Sequence, residues 1–343
     1  MMRRFARFGL CAATFAMFLS SLVSSLHAQL FQLPTANHAL FEKGGEERFF
    51  VGTTGKPWTT GAFGCVRTDG YQLHEGLDIR CLQRDKHGEP TDPVMSTADG
   101  TVVYINRKAG LSNYGNYVVV RHKIPQLEIY SLYAHLSEIR SDLRTGQNVK
   151  AGEKLAVMGR TANTREGISK DRAHAHFELN LLLNDRYAAW HKSALADQRN
   201  DHGDWNGRNL LGLDARLILL QQRDQGAKFN LLNFIQQQTE LCRVVVRKTN
   251  FPWLKRYAAL VHANPRAEKE GIAGYELTLN FIGIPFQVVP RSSSELKGKG
   301  KFQVLSVNEA EHDRNPCCHL VARRGSGWEL TNHGTELLEL LTY

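Results

Sequence analysis

Two histidines and a glutamate, His174, His176 and Glu178, recur at every second position in a stretch whose intervening residues, Ala175, Phe177 and Leu179, are apolar. That alternation predicts a half-buried strand with one face on a core and two imidazoles on the other. A helix would splay the histidines apart. Imidazoles on one rigid face can divide the work of a metal site, one as ligand and one as proton carrier, if other ligands reach them. His74 and Asp78, four residues apart across Gly76, are the second source of ligands. On a strand they share a face with Gly76, whose missing side chain leaves room for an ion; on a helix the same spacing also keeps them together. His74, Asp78 and one of the paired histidines make three protein ligands, the number in a catalytic zinc site, where water takes a fourth position. Zinc lowers the pKa of such a water to about 7, which gives a nucleophile at neutral pH. Proton transfer is then the work of further groups: His174, beside the metal, and His135, between Ala134 and Leu136, are the candidates. In a chain with 14 histidines each pattern alone is weak, and only the combination carries weight. His122, His191, His202 and His319 read as ordinary core or surface residues.

The elements that must position these residues are short strands. Residues 100–105, 116–122 and 128–136 are β-branched and aromatic runs separated by Gly and Asn turns, and residues 154–159 continue the series. From residue 65 to about 195 the pattern is that of a mainly β domain, an antiparallel sheet or sandwich. Residues 29–64 read as an extended lead-in of short strands and turns, with no chemistry of their own. A polar linker over 197–207 precedes leucine-rich text in which Leu210, Leu211, Leu213, Leu217, Ile218 and Leu220 fit one helical face and residues 229–238 a second helix. Strands over 243–247, 275–281 and 302–307 follow, so residues 205–343 read as a separate α+β domain of unknown role.

In this order, the His74 to Asp78 stretch, the strand text ending at His122, the Tyr-Ala-His-Leu stretch at 133–136 and the His-Ala-His-Phe-Glu strand resemble the lysostaphin-type (LytM-like) zinc metallopeptidases. The resemblance covers about residues 65–190. It implies one Zn2+ per chain with His74, Asp78 and His176 as ligands and His135 and His174 as the catalytic histidines. It also implies an endopeptidase acting on peptide bonds of peptidoglycan stem peptides or cross-links. Two departures lie where groove walls would be: residues 164–172 are long and charged, and the loop 82–92 is extended. Arg80 and Arg172, near the expected site, are candidates for contact with substrate carboxylates. Two other readings stay open, a catalytically inactive wall-binding or amidase-activating scaffold and a metallopeptidase of soluble proteins.

Composition sets the compartment and the partners. Hydrophobic residues at 42% and charged residues at 22% exclude a disordered chain. Residues 1–28 have a basic start, an apolar stretch and small residues before Ala28, the pattern of a cleaved secretory signal, which makes the protein exported, periplasmic or secreted. Loss of Arg3, Arg4 and Arg7 takes the formal charge from +9 to +6, a balance that favours an anionic wall. Without a basic patch interleaved with aromatics, nucleic acid is not an expected partner. No later segment is apolar enough to span a bilayer, so the mature chain is expected to lack a transmembrane segment. Cys65, Cys81, Cys242, Cys317 and Cys318 then remain. The expected bridge is Cys65 to Cys81, worth about 3 kcal/mol in the chain-entropy model, with Cys242 to Cys317 or Cys318 as a second pairing.

Overall fold

The β-branched and aromatic runs are strands in the computed structural model, which describes residues 29–343; the expected leader lies outside the described residues. In chain order the strands of the first part are β1 (Gly64–Arg67), β2 (Gln72–His74), β3 (Leu77–Arg80), β4 (Pro93–Met95), β5 (Gly100–Asn106), β6 (Tyr117–Ile124), β7 (Leu127–Ala134), β8 (Glu138–Ile139), β9 (Asn148–Val149), β10 (Lys154–Val157), β11 (His174–Leu182) and β12 (Leu210–Leu213). The largest sheet runs β12-β11-β7-β6-β5-β9, with β3 also on β11, and its pairs are antiparallel. Strand β11 is its organising element. One edge pairs with β7, while the other takes β3 along its first half and β12 along its second.

All nine residues of β11 are buried, more than the half-buried strand that the alternation predicts. Ala175, Phe177, Leu179 and Leu181 enter the main core with Leu77, Ile79 and Tyr133. The opposite face of the sheet has its own apolar layer of Tyr117, Val119, Tyr130, Leu132 and Leu182, closed by Tyr104, Tyr114 and Trp205. Trp205 belongs to the polar segment read as a linker, which is packed rather than free: its carbonyl accepts from Tyr117 Oη and its ring lies 5.6 Å from that of Tyr130.

Leu210, Leu211 and Leu213 do not start a helix. They form β12, which pairs with Leu179 to Leu182 of β11, and the helix begins after it, at Ala215–Gln225, with Asp214 accepting from the Leu217 amide as its cap. An apolar run of four does not distinguish buried strand from helix, and here the free edge of β11 decides. The lead-in carries more than turns: Phe31, Leu40, Phe49 and Phe50 are core residues, and the Phe31 backbone exchanges hydrogen bonds with the Gln222 amide in that helix.

Beyond it lie β13 (Cys242–Val246), β14 (Ile272–Leu279), β15 (Pro285–Ser292) and β16 (Phe302–Val307), an antiparallel sheet of order β15-β14-β13-β16. A two-stranded hairpin and the closing helix Asn332–Leu341 follow, so this part is α+β, as the sequence indicates. Apolar residues of both parts, Phe177 and Leu179 with Val244, Leu277 and Leu338, belong to one continuous cluster. The disulfide is a correction: Cys65 is bonded to Cys317, with Cα atoms 5.3 Å apart, and Cys81, Cys242 and Cys318 are free and buried. Proximity in sequence misleads here, because Cys81 follows β3 toward the loop 82–92 while the turn at Pro316 lies against the β1–β2 hairpin at Gly70. Among the described residues no helix is long and apolar enough to cross a membrane.

Candidate metal centre

The register of β11 builds the site. His176 stands opposite Asp78 of β3 on one side and Ala134, the last residue of β7, on the other. Asp78 therefore reaches His176 across one pair of strands, and His135 arrives from the second as β7 ends. His135 has φ 59°, a left-handed conformation that a residue with a side chain rarely adopts. It turns the chain out of the strand, and the ring stands 4.8 Å from that of His174 and 5.8 Å from that of His176, centroid to centroid. His74 closes the group from the end of β2. The short link Glu75 and Gly76 passes so close to β11 that a Cβ on Gly76 would lie 2.5 Å from the Phe177 carbonyl oxygen and 2.9 Å from His176 Nε2. Gly76 is thus required by the approach to His176, beyond leaving room for an ion.

The five residues singled out in the sequence come together, and three of the histidines meet at one atom, Asp78 Oδ1. His74 Nε2 lies 3.1 Å from it, His176 Nδ1 3.0 Å and His174 Nε2 3.4 Å, with His135 against the two β11 rings. Among the described residues, His74, Asp78 and His176 are the group whose ligand atoms, all within 4.8 Å of one another, could hold a metal ion. The far nitrogen of each ring settles its tautomer. His74 Nδ1 donates to the Ala62 carbonyl at 2.8 Å, His135 Nδ1 to that of Thr161 at 2.9 Å and His174 Nδ1 to that of Arg172 at 2.6 Å. His176 Nε2 donates to Glu178 at 2.7 Å. Each acceptor is a carbonyl or a carboxylate, so the proton sits on the far side and the lone pair faces the centre, as metal ligation requires.

Electrostatics points the same way. Burial opposes ionisation of Asp78, yet His174 and His74 beside it hold its carboxyl well below the usual range. Burial also opposes charging His176, but hydrogen bonds to Asp78 and Glu178 raise it to about 10. Burial and the two β11 histidines push His135 well below the ordinary histidine value, and burial lowers His74. Asp78 and Glu178 thus hold their charge, burial keeps His74 and His135 neutral, and the extra proton on His176 is one that a cation bound at Nδ1 would displace.

Sequence reasoning missed the outer partners. Glu178 was visible on the shared face, two residues after His176, but a role for it was not. Tyr114 lies with its ring 5.7 Å from that of His176, and Arg67 reaches Asp78. No local pattern marks either of them, nor the carbonyls of Ala62 and Thr161. Arg80 donates to the Phe50 carbonyl at 3.1 Å, and Arg172 Nε to that of Gly52 at 2.9 Å. Both pin the lead-in beside the site. The two divergent loops form one wall, with Glu89 paired to Arg160 at 2.9 Å and Lys170 at 3.3 Å, and Arg84 on the Lys170 carbonyl at 2.6 Å.

Strand order and register thus set this histidine–aspartate cluster, a candidate metal centre, into an antiparallel β-sheet domain. Residues 72–188 match the model of Peptidase family M23, and this segment is an M23 peptidase domain. The murein hydrolase activator NlpD of Escherichia coli is 36% identical over 101 residues, covering 29% of this chain and 22% of that protein. The DD-carboxypeptidase/endopeptidase Mpg of Neisseria meningitidis is 31% identical over 111 residues, covering 32% of this chain and 21% of the other. A zinc-containing peptidase from Vibrio cholerae is a structural neighbour at 30% identity and TM-score 0.23, covering 31% of this chain and 26% of that one. The chain thus spans about a fifth of the length of these two curated relatives.

Proposed function

We propose that the protein is an exported zinc endopeptidase that hydrolyses peptide bonds of peptidoglycan, with His74, Asp78 and His176 as the zinc ligands. The observation that carries this reading is the convergence of His74, His174 and His176 on Asp78 Oδ1, with His135 packed against the two β11 rings and the far nitrogen of all four hydrogen-bonded. A zinc ion there supplies Lewis acidity for the scissile carbonyl and acidifies water at neutral pH. The rest is done by the chain. His174 and His135 offer unprotonated nitrogens beside the ligands, so one can take a proton from the attacking water while the other steadies charge on the carbonyl oxygen or serves the leaving amine. The carbonyls of Thr161 and Arg172 hold these rings in place. The leader-like pattern of residues 1–28 and the Cys65–Cys317 bond support export, since disulfides persist in oxidising compartments.

A second reading, a scaffold that activates murein hydrolases without cutting, is favoured by the similarity to NlpD. Against it stands the complete set of ligand and proton-transfer groups. Purified sacculi separate the two. With zinc, the wild type releases new amino termini; His74→Ala and Asp78→Ala lose both zinc and release, whereas His135→Ala keeps zinc and loses release by at least about a hundredfold. A zinc-loaded wild type that binds sacculi and frees no amino termini would establish the scaffold instead.

A further inference from the structure

Arg67 lies outside the five residues above and outside the segment matched to the family. It ends β1, opposite Gln72 of β2, just after a bulge that begins at Cys65. The turn beyond it holds three successive residues at positive φ, Thr68 at 49°, Asp69 at 54° and Gly70 at 99°. Two residues before it, Cys65 is bonded to Cys317. The backbone of Arg67 is therefore fixed from both sides, and its side chain points at the metal centre: Nη2 donates to Asp78 Oδ2 at 2.5 Å.

The two oxygens of Asp78 thus have separate work. Oδ1 faces His74, His174 and His176, while Oδ2 is engaged by a guanidinium that is 17% exposed against 2% for the carboxylate. Arg67 Nε is buried without a hydrogen-bond partner. A charge-assisted bond to one oxygen stops a carboxylate from turning to offer both oxygens to an ion. In a catalytic site that restraint matters, because a second oxygen from Asp78 would fill the position left for water and substrate.

We propose that Arg67 is a positioning residue of the metal centre: by holding Oδ2 it confines Asp78 to one-oxygen ligation and keeps a coordination position open. The inference rests on the zinc reading above. Because a single bond is involved, a lysine ammonium can supply it, whereas a methionine cannot.

The test uses the full chain with cobalt(II) in place of zinc, since visible absorption weakens as a cobalt centre goes from four to five ligands. Arg67→Met should lose about half or more of the band intensity, and Arg67→Lys should keep it. With zinc, Arg67→Met should lose about 10- to 100-fold in kcat with KM little changed, and Arg67→Lys should recover most of it. Equal cobalt bands in all three proteins overturn the inference, as does a loss in Arg67→Lys equal to that in Arg67→Met. An Arg67→Met chain that does not fold assigns the residue to the fold and overturns it too. If the cobalt bands respond as expected but the wild type cuts no sacculi, the positioning role stands and the endopeptidase reading falls. A wild type that takes up no cobalt overturns both.

Discussion

Gly76→Ala tests whether the metal centre depends on the approach of the β2–β3 link to β11. A methyl group there would lie 2.5 Å from the Phe177 carbonyl oxygen, 2.8 Å from Glu178 Cγ and 2.9 Å from His176 Nε2. Ordinary contact begins near 3.4 Å, so the link must retreat by about 0.9 Å, and the nearest obstacle is backbone that no rotamer change can move aside. Gly76 is not among the positive-φ glycines, so the cost comes from contact and not from backbone conformation. Asp78 is tied into the β3–β11 register, whereas His74, the last residue of β2 and paired only with Gly64 of the two-stranded β1–β2 hairpin, moves with the link. Metal sites tolerate ligand displacements of only about 0.2 Å, so zinc affinity should fall by at least about tenfold. Overpacking should cost the fold about 1–3 kcal/mol. Competition with a chromogenic chelator reads the first effect and denaturant unfolding of the metal-free protein the second. Wild-type zinc affinity in Gly76→Ala would refute the reasoning.

Two further outcomes follow from groups away from the metal. His122, fully buried in β6 with Nδ1 on the Asp99 carbonyl and Nε2 2.7 Å from Ser131 Oγ, is lowered by burial to about 4. The unfolded chain takes up this proton near pH 6.5 and the folded chain does not, so its stability is intact above 6.5 and is lost as pH falls from there to 4. The loss is about 3 kcal/mol over that window, and unfolding free energies measured across it should show His122→Asn flattening the slope; parallel slopes would contradict the assignment. Cys317→Ser opens a closed loop of 252 residues and should cost about 2–5 kcal/mol while loosening β1. Non-reducing mass spectrometry that found Cys65 joined to Cys81 would remove the basis for that figure.

What was legible in the sequence was set by local periodicity. The alternation of His174, His176 and Glu178 with Ala175, Phe177 and Leu179 is a property of any strand, so its two faces could be read directly, and His74 and Asp78 meet across Gly76 whichever local geometry holds. What could not be read depends on register and on partners distant in sequence. Nothing in residues 210–213 says that a free half-edge of β11 awaits them, and nothing at Cys65 says that the nearest thiol lies 252 residues away. The outer acceptors are mostly backbone carbonyls, those of Ala62, Thr161 and Arg172, which no side-chain pattern marks. Arg80 and Arg172, which the sequence offers only as neighbours of the site, also donate to the carbonyls of Phe50 and Gly52, contacts that no local pattern marks.

Those arginine contacts give the lead-in a part in the chemistry that its turn-rich sequence conceals. The Ala62 carbonyl fixes the tautomer of His74, and Phe50 and Gly52 are gripped from the β3 and β11 sides of the centre. The same stretch is anchored in the core through Phe49 and Phe50 and, at Phe31, to the helix Ala215–Gln225. Three of the five metal-centre residues, Asp78, His174 and His176, sit on strands of the large sheet and His135 follows directly on the end of β7, whereas His74 lies outside that sheet and is oriented by the Ala62 carbonyl of the lead-in. Movement of the lead-in therefore acts on His74 directly through the Ala62 carbonyl, and on His174 through Arg172, which is bonded to Gly52. The segment to which β2 and the Cys65–Cys317 bond connect is thus part of what holds the ligand set together.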